Sequence, residues 1–342
     1  MRIGFDCSPL VVPHSPGIAR VLAASLAELE ARGNLEVVRL TPEPGESLRT
    51  WRQWRLPRSV RPLGLHGLHT FQAAFPLRGD CPRVQTVHEL SWRHGVQESG
   101  AWRRRAWVAY GKRHAAAIVT ATQFTARDLD LPLADAGGRV HVVPWANSPC
   151  FGAKPETADL PYLERLGLEP LRYVLSPGGW RAKKRPDDLL RAVEALRIQG
   201  FPEVRLVITG PRSPRTTARD RWWTQRAPAW IALESVSDAE LAGLYRNAAA
   251  TALVARSEGF ALPVLEALAS GCPVVVPAQT AQAEVAGAHA TVATTLELDS
   301  LVEALSATLV DPPDPAGGID HAAGFTWSRT AQAIETLWEG LR

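Results

Sequence analysis

Short apolar segments alternate with amphipathic helical segments along almost the whole chain, and they do so in two successive series. The first series contains RIGFDC, EVVRL, AAIVTAT and RVHVVPW, and the second contains YVLSPGG, VRLVITG and ATALVA, with helical segments between them. This alternation predicts parallel sheets with helices on both faces. Ligands of such sheets bind at the carboxyl ends of the strands. The sequence therefore predicts two α/β domains in tandem, whose sheets would face each other across a cleft.

Length and composition agree with two globular domains. The chain has 342 residues, which is long for one ordinary core, and 46% of its residues are hydrophobic and 21% charged. Its four cysteines have no metal-binding or redox spacing, which is typical of a reducing compartment. The start, MRIGFDCSPL, does not resemble a signal peptide, and no apolar run approaches the roughly 20 residues of a membrane span. We expect a cytoplasmic protein.

Charge is unevenly spread along the chain. Residues 1–160 hold 20 Lys and Arg against 14 Asp and Glu, whereas the remainder holds 18 against 21. Basic residues alternate with Trp at 51–58 (WRQWRLPR) and 101–107 (AWRRRAW). These stretches fit either a solvated face with partly buried Trp or a peripheral contact with anionic lipid or a lipid-linked acceptor. Because no nucleic-acid motif accompanies them, we expect no nucleic-acid partner.

The stretch from Ser257 to Val276, SEGFALPVLEALASGCPVVV, has a more specific pattern. Pro263 suits the first turn of a helix, and Gly271 suits the left-handed position after its end. The valines that follow predict a buried strand. Glu266 is expected in the first helical turn and Glu258 in the loop before it, near a helix N-terminus that favours anions. By itself this spacing fits a charged helix start as well as a ligand site.

Several motifs together resemble glycosyltransferase family 4 of the GT-B superfamily, whose members are retaining, nucleotide-sugar-dependent and often mannosyltransferase-like. EGFALPVLEALASGCPVV resembles the family hallmark E-G-F-G-L-P-x-x-E-A-x-A-x-G-x-P-V, and LSPGGWRAKKR and VSDAELAGLYRNA resemble two further patterns. Shorter matches are AEVAG with Glu284, His88-Glu89, Gly17-Ile18-Ala19-Arg20 and Trp327. The resemblance implies a GT-B fold of two Rossmann-like domains facing across a cleft. It places the acceptor-side domain at 1–155, joined by a C-terminal helix at 328–342, and the donor-binding domain at 156–327.

The resemblance also implies roles for individual residues. Lys184 takes the position that stabilises the donor diphosphate, Glu266 the position that binds the ribose, and Glu258 the position that binds the donor sugar. His88 takes a position that reaches the donor sugar from the first domain. The implied catalytic residues are therefore His88, Glu258 and Lys184. The implied donor-binding residues are Gly17, Gly178, Lys184, Glu258, Gly259, Phe260, Ala261, Leu262 and Glu266, with Arg20 near the phosphates. Without the resemblance, RAKKR at 181–185 would fit a solvated basic loop better than a phosphate site.

The implied reaction moves a hexose, with a mannose-type sugar favoured, from a GDP- or UDP-sugar to a saccharide or lipid-linked acceptor in glycan or polysaccharide biosynthesis. The acceptor would attack from the face that the diphosphate leaves, and a donor phosphate oxygen would receive its proton. Because a diphosphate leaving group needs no general acid, Glu258 and Glu266 are not expected to be a glycosidase pair. No metal and no other cofactor are expected.

The chain departs from the family pattern at a few positions. Ala261 replaces a glycine near the donor, Glu89 replaces an aspartate, and Ala146 replaces another glycine. The methyl group of Ala261 would be harmless at a negative φ and would alter the loop otherwise. Two alternatives stay open: a non-catalytic partner subunit with the same fold, and a sugar-nucleotide epimerase. The presence of Lys184, Glu258, Glu266 and His88 favours a transferase over both.

Overall fold

Two six-stranded parallel sheets organise the chain. The first contains β1 to β6, at Arg2–Asp6, Glu36–Leu40, Gly67–Thr70, Arg83–Thr86, Ala117–Thr120 and Val140–Val142. The second contains β7 to β12, at Tyr173–Pro177, Arg205–Thr209, Trp230–Leu233, Ala250–Ala252, Val274–Pro277 and Thr291–Ala293. The predicted α/β class with two parallel sheets is confirmed.

Each sheet belongs to its own unit. In this computed structural model, residues 1–12, 16–211 and 217–341 are described. The first unit consists of residues 1–146 with 325–342, and the second of residues 147–324. The family resemblance places these boundaries at 155 and 327. Residues 13–15 of the loop predicted after the first strand lie outside the described residues.

Helices flank both sheets. Those of the first unit are α1 to α6, at Ser8–Val11, Pro16–Arg32, Leu48–Thr50, Leu56–Arg58, Ala101–His114 and Gln123–Asp128. Those of the second unit are α7 to α14, at Asp159–Arg165, Pro186–Ile198, Thr217–Thr224, Asp238–Asn247, Leu262–Ala269, Ala281–Ala286, Leu298–Val310 and Pro315–Ala323. The last helix, α15, at Trp327–Glu339, packs on α2 in the first unit. Short 3-10 helices lie at Ser91–His94, Ala134–Ala136 and Ala182–Lys184, and a π-helix lies at Trp51–Arg55.

The strand orders place one switch point in each sheet. The first sheet has the order β2-β1-β3-β4-β5-β6 and the second the order β12-β11-β10-β7-β8-β9. In the second, the chain moves outward from β7 to β9 and then returns to the other side of β7 with β10. Loops that leave two such neighbouring strands diverge, and the crevice between them is where ligands of open α/β sheets bind. In the second unit, this crevice lies beyond the carboxyl ends of β7 and β10.

The local chemistry of the helices follows the predictions in several places. Ser237 caps α10, as predicted, and forms a capping box with Glu240. Pro186 opens α8 and is followed by Asp187 and Asp188, which suit the positive end of a helix. All five residues of β7 are buried, as expected for a strand covered on both faces. Across the described residues, no helix is both long and apolar enough to cross a membrane.

The basic stretch at 51–58 is only partly a surface feature. Trp51 and Arg52 are buried, and Asp6 at the end of β1 accepts hydrogen bonds from Trp51 Nε1 at 3.0 Å and Arg52 Nε at 2.9 Å. Arg52 also donates to Ser8 Oγ at 2.8 Å. Trp54 is exposed, with the Arg58 guanidinium over its ring. The first two residues of this stretch therefore hold the helical segment 48–58 against the sheet, and only its later residues can face a surface.

Candidate functional site

The carboxyl end of β7 carries a tight turn that brings a lysine back over the strand. Gly178 follows the strand with a φ of +98°, a conformation that L side chains rarely adopt. A Cβ at Gly178 would lie 3.2 Å from both Cε and Nζ of Lys184. Gly178 therefore permits both the turn and the close approach of the Lys184 ammonium to the end of the sheet.

Lys184 is held in a short 3-10 helix and is almost fully buried. Its backbone N–H donates to the Arg181 carbonyl at 2.8 Å, and the neighbouring Lys183 is buried as well. Arg185, the residue before α8, adopts the left-handed conformation, and its Nε donates to Asp188 at 2.9 Å. The alternative of a solvated basic loop at 181–185 is therefore wrong, because the segment is ordered and buries the side chains of Lys183 and Lys184.

Glu258 meets these lysines from the neighbouring strand. Its Oε1 lies 2.7 Å from Lys184 Nζ and 3.9 Å from Lys183 Nζ. The backbone N–H of Arg256 donates to the Lys183 carbonyl at 3.1 Å, which ties the loop after β10 to the loop after β7. The structure therefore brings Gly178, Lys184 and Glu258 together at the switch point of the second sheet. This proximity follows from the pairing of β7 with β10.

The electrostatics favour an ionised Glu258. Burial raises the pKa of this carboxyl group, whereas the charges of Lys184 and Lys183, together with the hydrogen bond from Lys184, lower it. The net effect is a pKa below the ordinary value for glutamate. Glu258 is consequently a carboxylate at neutral pH, and its charge offsets part of the cost of burying two ammonium groups.

Ala261 ends the loop between Glu258 and α11 in a strained conformation. Its φ of +61° and ψ of +61° place it in the left-handed region, and it is the residue that precedes the first turn of α11. Phe260 and Ala261 are both buried, so the loop cannot relax freely. The condition under which the alanine would be harmless, a negative φ, is not met. The chain keeps the left-handed turn that a glycine would make at lower cost.

The helix α11 matches its prediction except for the position of Glu266. Pro263 lies in the first turn and Gly271 adopts a φ of +71° after the end, both as predicted. The helix begins at Leu262, so Glu266 is its fifth residue and lies in the second turn, and the predicted first-turn position is wrong. Glu266 is buried, and its Oε2 accepts a hydrogen bond from Tyr245 Oη at 3.0 Å. At the start of α11, Pro263 has no N–H, and the Val264 N–H donates to the Ala261 carbonyl oxygen at 2.8 Å, so among the first three residues of the helix Leu262 is the one whose N–H can face a ligand.

The first unit holds three predicted site residues: His88 follows strand β4, and Gly17 and Arg20 lie in helix α2. His88 follows β4, and its Nε2 lies 2.9 Å from the Phe71 carbonyl oxygen. Because a carbonyl only accepts, Nε2 must carry the proton, which leaves Nδ1 as an acceptor in the neutral ring. Burial lowers the pKa of His88 below its ordinary value, more than the hydrogen bond to Phe71 raises it. Gly17 and Arg20 lie in α2, whereas SPLVVPHSPGIAR after the first strand predicts a loop, and this prediction is wrong for both residues.

Two features of the site were missed from the sequence. Lys183 is not among the predicted site residues, yet it is buried beside Glu258. Tyr245 was not considered, although the motif that carries it, LAGLYRNA, was identified.

One pattern elsewhere resembles a metal-binding motif. Asp128 and Asp130 have the spacing Asp-x-Asp, which the sequence analysis passed over. In the structure, His94 Nε2 lies 2.6 Å from Asp128 Oδ2, and Arg93 Nη1 lies 2.8 Å from Asp130 Oδ2. Both carboxylates are therefore engaged by basic side chains of the first unit.

Comparisons with known proteins give a family match for most of the second unit. Residues 164–319 match the family described as "Glycosyl transferases group 1". The chain is 34% identical over 188 residues to a D-inositol 3-phosphate glycosyltransferase of Stackebrandtia nassauensis, covering 50% of this chain and 42% of that protein. It is 27% identical over 286 residues to an MMP alpha-(1->4)-mannosyltransferase of Mycolicibacterium hassiacum, covering 75% and 65%. The chain thus spans less than two thirds of the length of these relatives.

The fold is also that of a solved protein structure. The chain superimposes with a TM-score of 0.75 on Anabaena Alr3699/HepE, whose crystal structure is a complex with UDP-glucose. The match covers 99% of this chain and 100% of that one at 16% sequence identity. At that identity the likeness establishes the fold alone, which is the predicted GT-B fold.

Replacing Ala261 by glycine should stabilise the second unit. A non-glycine residue in the left-handed region costs about 1–2 kcal/mol, and the greater freedom of glycine in the unfolded chain returns about 0.5–1 kcal/mol of that. We expect Ala261→Gly to raise the free energy of unfolding by up to about 1 kcal/mol, measured by urea denaturation. Ala269→Gly, at the helical end of the same segment, is the matched control and should lower it by about 0.5–1 kcal/mol. Equal destabilisation by both variants would contradict the strain assigned to Ala261.

Proposed function

We propose, from the group 1 glycosyltransferase domain that residues 164–319 form, that this chain is a cytoplasmic retaining hexosyltransferase. It moves a hexose from a nucleoside diphosphate sugar to a saccharide or lipid-linked acceptor. The observation that carries the proposal is the position of Lys184 and Glu258 at the switch point between β7 and β10. The buried Lys184 ammonium lies beside the turn at Gly178 and is paired with the Glu258 carboxylate, which an anionic ligand can replace. Such a site suits a ligand that carries negative charge.

The role of Lys184 follows from where charge develops in the reaction. When the bond between the anomeric carbon and the phosphate oxygen breaks, negative charge accumulates on the leaving diphosphate. A fixed cation in a site with little water stabilises that charge strongly. In the proposed complex, phosphate oxygens take the place of Glu258 Oε1 at Lys184, and the Leu262 N–H at the positive end of α11 adds a further donor.

Glu258 then serves the donor sugar. Once Lys184 binds a phosphate, the Glu258 carboxylate accepts hydrogen bonds from the hydroxyl groups of the sugar. These hydrogen bonds stabilise its negative charge in the site. The acceptor hydroxyl attacks the anomeric carbon from the face that the diphosphate leaves, and its proton passes to a phosphate oxygen. Glu266 binds the ribose of the same donor. The proposal needs no protein nucleophile and no general acid on the leaving group.

The comparisons support a hexose donor and favour a mannose-type sugar. Two relatives are named as mannosyltransferases, and another is named as a D-inositol 3-phosphate glycosyltransferase. A structural neighbour was solved with UDP-glucose bound. We therefore propose GDP- and UDP-sugars as the donors to test first.

Lys184→Ala should abolish most of the activity on whichever donor is used. Calorimetry with UDP, GDP and ADP identifies the nucleotide, and hydrolysis or transfer of the corresponding sugar nucleotide gives turnover. We expect the barrier to turnover to rise by about 2–4 kcal/mol, because an electrostatic donor at the leaving group is lost. The same substitution at the exposed Lys154 in the second unit is the control and should change neither affinity nor turnover. Unchanged kinetics in folded Lys184→Ala would remove the assignment.

We extend the proposal to a reaction that needs no divalent metal ion. The two ammonium groups of Lys183 and Lys184 supply positive charge where metal-dependent enzymes use a cation. Turnover should therefore be unchanged after dialysis against EDTA, and addition of Mg²⁺ or Mn²⁺ should not increase it. A loss of turnover on chelation that a divalent ion restores would contradict this part of the proposal.

We also propose that α5 makes a peripheral contact with anionic membranes, where a lipid-linked acceptor would be found. The helix contains no acidic residue, and its exposed face presents Trp102, Arg103 and Arg105, with the Arg103 guanidinium over the Trp102 ring. Aromatic and basic side chains on one helix face are typical of interfacial binding.

Vesicle sedimentation tests this contact. The double variant Arg103→Ala/Arg105→Ala should bind phosphatidylglycerol vesicles more weakly, by about 1 kcal/mol for each charge removed. Arg172→Ala/Arg221→Ala removes two exposed charges from the second unit and should bind like the wild type. If the wild type does not sediment with the vesicles at low salt, or if both double variants lose binding equally, α5 is an ordinary solvated helix.

A further inference from the structure

A tyrosine behind the ribose-binding position makes one hydrogen bond that the proposed reaction does not explain. Tyr245 lies in α10 and is fully buried, and its hydroxyl donates to Glu266 Oε2 at 3.0 Å. Glu266 itself is 3% exposed. Its neighbours in α11 are apolar and equally buried: Val264, Leu265, Ala267 and Leu268. A carboxylate among such residues is costly unless hydrogen-bond donors surround it.

The Tyr245 hydroxyl is held in place from several sides. The helix α10 is fixed to β7 by the hydroxyl of Tyr173, which donates to the Leu244 carbonyl at 2.6 Å. On the other side, Arg246 makes a bidentate pair with Asp159, at 2.7 and 2.6 Å. These contacts flank Tyr245 directly in sequence. The phenol therefore has little freedom to follow a carboxylate that moves.

The segment that opens the second unit supports the same pair. The ring of Phe151 contacts the ring of Tyr245 edge-on, with centroids 5.8 Å apart. Asn147 Nδ2 lies 3.4 Å from the carbonyl oxygen of Leu265, the residue before Glu266. Arg246 also donates to the Gly152 carbonyl at 3.2 Å. Residues 147–159 thus contact Tyr245 and the residue that precedes Glu266.

We propose that Tyr245 is a positioning residue for the ribose of the donor. Its hydroxyl fixes one oxygen of Glu266, so that the carboxylate is held in the orientation that receives the vicinal ribose hydroxyls. The inference rests on the proposed function, because it assigns the ribose to Glu266. A purely structural role predicts something different: loss of the hydroxyl would then weaken the fold and every ligand alike.

A comparison of two nucleotides separates these roles. The probe is whichever of UDP, GDP and ADP binds the wild type most tightly in calorimetry, together with its 2′,3′-dideoxy analogue. Since a hydrogen bond to a charged group is worth about tenfold or more in affinity, the wild type should prefer the ribose form by at least about tenfold. Tyr245→Phe keeps the ring and its contact with Phe151, and it should reduce that preference by about three- to tenfold. The affinity for the dideoxy analogue should not change.

The controls are a second buried tyrosine and the carboxylate itself. Tyr173→Phe removes a buried hydroxyl that bonds a backbone carbonyl, so it matches the loss of stability expected for Tyr245→Phe. It should leave the ribose preference at the wild-type value. Glu266→Gln should lower the preference at least as much as Tyr245→Phe, and the double variant should lower it no further than Glu266→Gln alone. Thermal unfolding verifies that each variant is folded.

The outcomes distinguish this inference from the proposal on which it rests. A normal ribose preference in Tyr245→Phe, or an equal loss of affinity for both nucleotides, overturns the positioning role and leaves the proposed function intact. A wild type that binds the nucleotide without preferring the ribose form overturns the ribose assignment of Glu266, and the inference with it. If none of the three nucleotides binds the wild type, the proposed donor site itself is wrong.

Discussion

The ion pair between Lys184 and Glu258 is the interaction on which the geometry of the second unit's candidate site depends. Two buried ammonium groups next to each other would repel and would be poorly solvated, so Lys183 and Lys184 need a buried anion. Glu258 provides it from the loop after the neighbouring strand. Because the two loops are also joined through the backbone, at Arg256 and Lys183, the charges are held where the chain has little freedom. Such preorganised charge is what a reaction that builds up negative charge requires.

The loops that follow the same two strands, β7 and β10, each contain a residue with a positive φ, Gly178 and Ala261. Gly178 adopts a positive φ at no steric cost, and it does so where a side chain would press on Lys184. Ala261 adopts a positive φ at a cost, yet the loop retains the turn. A chain that keeps a strained conformation without a glycine must be constrained by its surroundings, and here Phe260 before Ala261 and Val264 after it are buried. The fold tolerates the alanine because these contacts dictate the loop conformation.

The sequence predicted the elements better than it predicted their contacts. Alternation was sufficient for most strands, but two were missed: β3, which reads GLHT and forms no apolar run, and β9, which reads WIAL and is too short an apolar run to be told from a buried helix segment. The meeting of Lys184 with Glu258 requires β10 to lie beside β7, and strand order is not encoded in any local pattern. The hydrogen bonds of Trp51 and Arg52 could not be predicted from the sequence because their partner, Asp6, lies 45 positions earlier or more. The family resemblance supplied Lys184, Glu258 and Glu266, whereas the conformation of Ala261 could be read only from the structure.

Glu258 and Glu266 are both buried carboxylates, and they are satisfied in chemically different ways. Glu258 faces cations, so any anion that competes for Lys184 can release it. Glu266 receives a hydrogen bond from a neutral phenol, which orients the carboxylate without neutralising its charge. A phosphate at Lys184 would displace Glu258, whereas Glu266 keeps its charge and can accept hydrogen bonds from hydroxyl groups. Since the two lie on one loop-and-helix segment, their chemistry matches a ligand in which a diphosphate separates two groups rich in hydroxyls, which is the construction of a nucleotide sugar.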